Sequence, residues 1–498
     1  MNRHVRPPQC CGVARAILVV LVLVALAAAC VLDAAAADAP PTKAARAPAT
    51  GPLKAHPQNP RYFCDASGRA VLLVGSHTWP NLVDMGPADP PAAFDYAAYL
   101  DFLEKYGHNF IRLWTWEPVS WNTKGNRQTA VHNAAPQPYA RTGPGLALDG
   151  KPKFDLTKYD PEYFGRLRSR VAAAGERGIY VSVMLFEGWA TQFAPDAWKG
   201  HPYNAANNVN GIDGDANGDG SGVEVHELGR PAVTAAQEAC VRKVIDTVGD
   251  LDNVLYEISN ENHPPSTEWQ YHMINFIHNY EKGRPKQHPV GMTFQYKGGS
   301  NKTLFDGPAD WVSPNPTTDV PKGFNYRDNP PPADGRKVVI TDTDHLWGIG
   351  GNSAWVWKSL TRGLNPIFMD PYDGGVLGPR ADDKWNPVRR AMGYALRYAR
   401  RVNLAAMTPQ GSLASTGYCL ANAAKAGAEY LVYLPDGGKA TVDLSAAAGT
   451  LSVEWFDPAA GKAAAGENVA GGAPRDFTAP PAGEAVLYIF GASGLRGP

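Results

Sequence analysis

At 498 residues, with 44% apolar and 19% charged, the chain is too long and too apolar to stay disordered, and long enough for one large domain and a smaller one. A formal net charge of -1, from 47 Lys and Arg against 48 Asp and Glu, supplies no field to hold a polyanion and excludes nucleic acid as an expected partner. The 51 glycines and 43 prolines show no collagen period and belong to loops, whereas 13 tryptophans are unusual and need positions.

Arg3, Arg6 and Arg15 precede an apolar run over 16–29, which is shorter than a bilayer-spanning helix needs. The pattern predicts a signal peptide over 1–39, export to the cell envelope or beyond, and no transmembrane segment. Cys30, directly after three alanines, also fits a lipid anchor. Residues 40–55 are mostly Ala, Pro, Thr and Lys and predict a disordered tether. Cys64, Cys240 and Cys419 are dispersed, so neither a disulfide framework nor a zinc cluster is expected.

Eight short apolar runs then recur at 71–79, 109–116, 179–189, 253–262, 289–296, 309–316, 337–345 and 365–373. Helical spacing of apolar residues falls between them at 92–106, 161–178, 232–248, 266–282, 352–363 and 386–401. The link between the fifth and sixth runs is short, which predicts a reduced helix there. Buried strands alternating with amphipathic helices indicate an α/β fold, a closed (β/α)₈ TIM barrel over 56–402. The alternative is an open doubly wound sheet, but the first run ends Gly75-Ser76-His77-Thr78-Trp79, which is no phosphate loop. A hairpin over 61–73, turning at Ser67-Gly68, is placed to close the barrel bottom. Short alternating runs at 429–435, 440–445, 451–458 and 485–490 predict a small antiparallel β-sandwich over 403–498.

Barrel enzymes place their chemistry where the carboxyl ends of the strands converge. The fourth run ends Ser259-Asn260-Glu261-Asn262-His263 and the seventh Thr341-Asp342-Thr343-Asp344-His345, so carboxyl groups from two strands face one mouth. Glycoside hydrolysis needs such a pair, one acid protonated and one ionised. His77, Arg112, Trp114, Trp116, Glu187, Trp189, Asn260, His263, Gln295, His345, Trp347 and Asp370 stand at or just beyond run ends and are expected to form a slot that binds substrate. In that slot Arg112 would orient a carboxylate, His77, Asn260 and His345 would bond sugar hydroxyls, and the tryptophans would lie against sugar faces. The loop over 118–158, with Trp121 and Tyr139, is long enough to wall the substrate.

Asn260-Glu261 on the fourth of eight runs resembles the large clan of glycoside hydrolase barrels whose fourth strand ends Asn-Glu. With the stretches at 56–82, 111–117 and 201–211 and the terminal sandwich, residues 55–491 are similar to a bacterial apiosidase-like group whose barrel is joined to a so-called collagen-binding domain. The resemblance implies Glu261 as acid/base, Asn260 on the hydroxyl beside the cleaved bond, a nucleophile from the seventh strand, and apiose or arabinofuranose as the sugar released. Many clan members carry Glu on the seventh strand, whereas no Glu lies between Lys337 and Trp347 here. Matching the run Val338-Val339-Ile340-Thr341-Asp342 to the common strand ending favours Asp342 as nucleophile, with Asp344 as the alternative. Both could instead cap a helix or bond a loop.

Asp213, Asp215, Asn217, Asp219, Ser221 and Glu224, with Gly218 at the sharp turn, fit the calcium-loop pattern D-x-[DN]-x-[DN]-G-x₅-E. No entering helix precedes them, so a solvated turn is the competing expectation. Calcium there would stiffen a loop, and catalysis itself would need no cofactor. The chain therefore reads as a secreted glycoside hydrolase that cleaves glycosidic bonds in a neutral complex polysaccharide or oligosaccharide with a carboxylate acid/base and a carboxylate nucleophile, with retention expected; the alternative is a non-catalytic carbohydrate- or matrix-binding protein.

Overall fold

The computed structural model describes Met1, residues 46–122 and residues 131–491. The expected signal peptide apart from Met1, and residues 40–45 of the expected tether, lie outside the described residues. Eight strands form one parallel sheet: β1 (Gly75–His77), β2 (Phe110–Leu113), β3 (Tyr180–Glu187), β4 (Val254–Asn260), β5 (Val290–Thr293), β6 (Trp311–Ser313), β7 (Val338–Asp342) and β8 (Asn365–Met369). Their order, β1-β8-β7-β6-β5-β4-β3-β2, leaves β1 and β2 to close the ring. There the Phe110 N–H donates to the Val74 carbonyl at 3.1 Å. Gly75 allows that approach, because a Cβ at this position would stand 1.8 Å from the Phe110 carbonyl oxygen.

The helices α1 (Tyr96–Tyr106), α2 (Pro161–Glu176), α3 (Pro231–Val248), α4 (Thr267–Glu281), α5 (Asn301–Asp306), α6 (Ser353–Thr361) and α7 (Asp382–Arg401) follow their strands. Local chemistry sets their ends: Asp95 and Asp160 cap α1 and α2 through backbone N–H groups, and α1 stops at Gly107 in the left-handed region. The short link between the fifth and sixth strands carries only the reduced α5.

Alternation along the strands sorts the barrel interior into layers. Phe110, Tyr180, Leu255, Trp311, Val338, Ile340 and Ile367 pack together at the bottom. Two residues further along their strands come Arg112, Glu257 and Asp342, and in this middle layer Arg112 donates to both carboxylates. The hairpin of Phe63–Cys64 and Ala70–Val71, with Gly68 at φ +79°, lies under this bottom layer. Residues 49–55 depart from the expected tether: Leu53 is buried in the same cluster, Lys54–Ala55 pair with Phe63–Cys64, and the Ala49 N–H bonds Gly175. A leucine among small residues gave this segment one apolar anchor, and the barrel bottom supplies its socket.

Beyond the barrel, a seven-stranded antiparallel sheet, made of five longer strands (Cys419–Asn422, Glu429–Leu434, Ala485–Phe490, Thr450–Asp457, Lys462–Ala465) and the two-residue strands Thr408–Pro409 and Val469–Ala470, faces the pair Gly437–Asp443 and Pro474–Ala482. Tyr430, Val432, Leu487 and Ile489 fill the sandwich core. Their strand neighbours Leu431, Tyr433 and Tyr488 belong to the barrel core instead. The sheet is thus buried on both faces, one against α6 and α7, where Trp357 stacks on Tyr433 and Arg401 holds Glu454 through bonds of 2.8 and 2.9 Å. Among the described residues, no helix is long and apolar enough to cross a membrane.

Candidate active site

Above the middle layer the strand ends open into a cavity of about 490 Å³, lined by Trp79, Trp114, Trp189, Asn260, Glu261, Phe294, Tyr296, Arg327, Asp344, His345, Trp347 and Met369 among others. Its floor is organised by Arg112, which is 1% exposed and uses all five donors. Nε and Nη2 grip Glu257 at 2.9 and 2.5 Å, Nη1 reaches Asp342 at 2.8 Å and Asp344 at 3.2 Å, and Nη2 also donates to Asn260 Oδ1 at 2.6 Å. Burial alone would lower the guanidinium's pKa, but Glu257, Asp342 and Asp344 raise it well above the ordinary value. It is a fixed positive charge.

The two aspartates of the seventh strand have separate places. Asp342 is fully buried beneath the cavity, with His77 Nε2 at 2.9 Å and Arg112 on the other side. Burial pushes its carboxyl up, but His77 and Arg112 outweigh burial and hold it well below the usual carboxylate range. It also caps the one-turn helix Thr343–Leu346, accepting from the Asp344 N–H at 2.9 Å. That turn carries Asp344 off the strand and into the cavity wall. Burial and the charge of Asp342 push Asp344 up to about 6, against the pull of Arg112. Of the two candidates for the nucleophile, Asp342 is thus bonded to His77 and Arg112 beneath the cavity, whereas Asp344, the alternative, lines it.

Glu261 faces the same cavity. Burial first, and Asp344 second, raise its carboxyl well above the ordinary value, with Arg112 opposing. Its φ is +43°, a left-handed conformation that costs a side chain on the order of 1–3 kcal/mol and marks strained functional positions. Asn260, beside it, accepts from Arg112 and from His345 Nε2 at 3.2 Å, which turns its amide nitrogen away from both. His345 Nδ1 meets Ser313 Oγ at 2.7 Å; burial and Arg112 lower this ring to about 3, so it is neutral. Trp114 Nε1 donates to His77 Nδ1 at 2.9 Å, leaving the His77 Nε2–H for Asp342.

Of the expected substrate-binding set, Trp114, Trp189, Asn260, His345 and Trp347 line the cavity. Arg112 and His77 lie below it and bond the carboxylates. The remainder serve the scaffold. Trp116 is buried behind the wall, stacked on Trp121 with ring centres 5.0 Å apart. Glu187 accepts from the N–H groups of Trp189 and Ala190, and burial raises it to about 8. His263 pairs with Glu227 at 2.7 Å, Gln295 donates to the carbonyls of His263 and Pro264, and Asp370 forms a buried ion pair with Arg389. The loop over 118–158 does not wall the cavity among its described residues: it makes two antiparallel pairings, and Tyr139 bonds Tyr203. Glu257, Thr293 and Gln192 were missed by sequence reasoning. A glutamate in the middle of an otherwise apolar strand, opposite an arginine in another, was the signal for Glu257, since a buried charge requires a partner.

In the loop after β3, oxygens of Asp215, Asp219 and Glu224 lie within 4.8 Å of one another. Asn217 Nδ2 donates to Asp219 and Glu224, while Asp213 accepts from the Asp215 N–H and is not in that group. The donors are all hard oxygens, which suit calcium. Trp198 packs so closely on Gly222 that a Cβ there would stand 2.1 Å from its ring, and His226, just beyond, bonds Glu117 at 3.0 Å. The other close group, Asp342, Asp344 and His345, already surrounds the Arg112 cation and does not fit a metal.

A family model described as "Domain of unknown function (DUF6298)" matches residues 131–297, and one described as "Putative collagen-binding domain of a collagenase" matches residues 410–487. No curated protein matches the chain. A solved structure titled "Glycoside hydrolase" is similar at a TM-score of 0.57 and 14% identity, over 89% of this chain and 97% of that one. A glycoside hydrolase family 5 structure from Bacteroides vulgatus is similar at 0.58 and 14%, over 89% and 94%. The fold is that of a glycoside-hydrolase-like barrel with a separate collagen-binding-like domain at its carboxyl end.

Proposed function

We propose that this chain is an exported glycoside hydrolase acting on a neutral complex polysaccharide or oligosaccharide, with Glu261 as acid/base and Asp344 as nucleophile. One observation carries the reading: two carboxyl groups line one tryptophan-walled cavity, and burial and their neighbours raise Glu261 well above the ordinary carboxylate range while Asp344 stands lower, at about 6, which suits an acid and a nucleophile. In the first step an Asp344 oxygen bonds the anomeric carbon while the glycosidic bond breaks and the Glu261 proton passes to the leaving oxygen. In the second, Glu261 takes a proton from water as the water oxygen displaces Asp344, so configuration is retained. Arg112 holds one Asp344 oxygen and leaves the other for the sugar. Apiose or arabinofuranose side chains are the proposed substrates on the strength of the sequence resemblance.

The test is Glu261→Ala with aryl furanosides. Turnover of substrates with poor leaving groups is expected to fall by about 10³-fold, and on an activated aryl furanoside, whose departure needs no proton, azide is expected to raise turnover and give a glycosyl azide of the substrate's own configuration. Turnover at the wild-type rate would remove Glu261 from the chemistry.

We also propose that the loop containing Asp215, Asn217, Asp219 and Glu224 binds calcium as a structural ion. Free calcium at about 100 times its Kd would add about 2.7 kcal/mol to stability. The Tm is therefore expected to rise with calcium and to fall in chelator, and Asp215→Asn should abolish that dependence. A Tm indifferent to both would exclude the site.

A further inference from the structure

The left-handed backbone of Glu261 is held by side chains from two other strand ends. The short helix Trp189–Phe193 begins directly after β3, and Glu187 caps it by accepting from the Trp189 and Ala190 N–H groups at 2.7 and 3.0 Å. On this helix Gln192 turns its amide back toward the barrel. Nε2 donates to the Gly188 carbonyl at 2.9 Å and to the Glu261 carbonyl at 2.8 Å, so both of its hydrogens are used. On the opposite side, the Glu261 N–H donates to Thr293 Oγ1 at 3.3 Å, and the Thr293 hydroxyl donates to the Ser259 carbonyl at 2.9 Å.

Only glycine permits the close crossing between these segments. A Cβ on Gly188 would stand 1.4 Å from Asn262 Oδ1, and the Gly188 N–H donates to the Asn260 carbonyl at 3.0 Å. The helix is fixed from outside as well, where Lys297 Nζ donates to the Gln192 carbonyl at 2.9 Å.

We propose that Gln192 is a positioning residue that clamps the Glu261 backbone in its left-handed conformation and so aims the carboxyl at the leaving oxygen, with Thr293 as the opposing strap. This rests on the reading of Glu261 as the acid. A φ of +43° is not where a strand-end glutamate rests by itself, and relaxation toward the extended region would rotate the Cα–Cβ bond and swing the carboxyl away from the cavity centre. Gln192 spends one donor on the Glu261 carbonyl and the other on the Gly188 carbonyl at the start of its own helix, which ties the bend to that helix. It also sits three residues from Trp189, so the same helix places an aromatic wall and the acid together.

The leaving group separates a positioning role from a merely structural one. Proton donation matters for an alkoxide leaving group of high pKa and hardly at all for dinitrophenolate. Gln192→Met keeps length without donors. Its kcat/KM is expected to fall about 10–100-fold on poor leaving groups and less than about threefold on the dinitrophenyl glycoside. The alkaline limb of its pH profile should move to lower pH as water reaches Glu261. Thr293→Val should show the same leaving-group dependence, and serves if Gln192→Met does not fold. Equal losses on both substrates, or wild-type rates on both, overturn the proposal. If Glu261→Gln is inactive while Gln192→Met is unaffected, only the clamp fails; if Glu261→Gln turns over normally, the assignment of the acid fails first.

Discussion

Asp344→Asn is expected to lower kcat/KM by about 10³-fold or more in a protein that still folds, because the amide keeps the shape but supplies no nucleophile. Asp344→Gly should recover turnover in azide and yield the glycosyl azide of inverted configuration. Asp342→Asn should behave differently. It breaks contacts to His77 and Arg112 inside a layer with no solvent, so about 2 kcal/mol of stability is expected to be lost. No azide rescue should follow, because Asp342 does not face the cavity. The pH profile of the wild-type protein's proposed activity separates the two further. With Asp344 as the proposed nucleophile it must be ionised, and its carboxyl is pushed up to about 6, so kcat/KM should fall as pH drops through about 6. Glu261 must be protonated, so activity should fall again at the alkaline end. An acid limb well below 5, or azide rescue of an Asp342 variant, would return the nucleophile to Asp342.

Arg112→Met should be the most destabilising single change at the site. Glu257 and Asp342 have no exposure, and both depend on Arg112, as Asp344 and Asn260 do in part. Removing one partner of a buried pair costs about 3–5 kcal/mol, which is comparable to the whole stability of many domains. Lysine offers three donors in place of five and no planar fork, so Arg112→Lys should fall between methionine and wild type. The sign of the pH effect follows from linkage. Without the guanidinium the buried carboxyls are raised above their unfolded values, so the folded state binds more protons and stability falls as pH rises. Denaturant unfolding of Arg112→Met should therefore show partial recovery between pH 7 and pH 5. Stability equal to wild type at pH 7 would mean that the middle layer holds together without its cation.

The barrel was legible from Gly75 to Met369 because its signal is local. Each strand is buried on both faces and reads as an apolar run, and each helix carries its own spacing, so order along the chain becomes order around the ring. That Glu261 reaches the cavity was legible for a related reason: it stands just past the end of the fourth strand, where the ring must open. The division of labour between Asp342 and Asp344 could not be read this way. It depends on where β7 stops and a helical turn begins, and on an arginine from β2 arriving beneath them. The same holds for Trp116, Glu187, Gln295 and Asp370, which stand at strand ends like true wall residues but find partners inside the scaffold. Strand-end position is a property of one segment. Which side chains reach the cavity, which are spent on each other, and which proton stays on which carboxyl are properties of charges brought together from strands far apart in the chain, and only the closed barrel sets those distances.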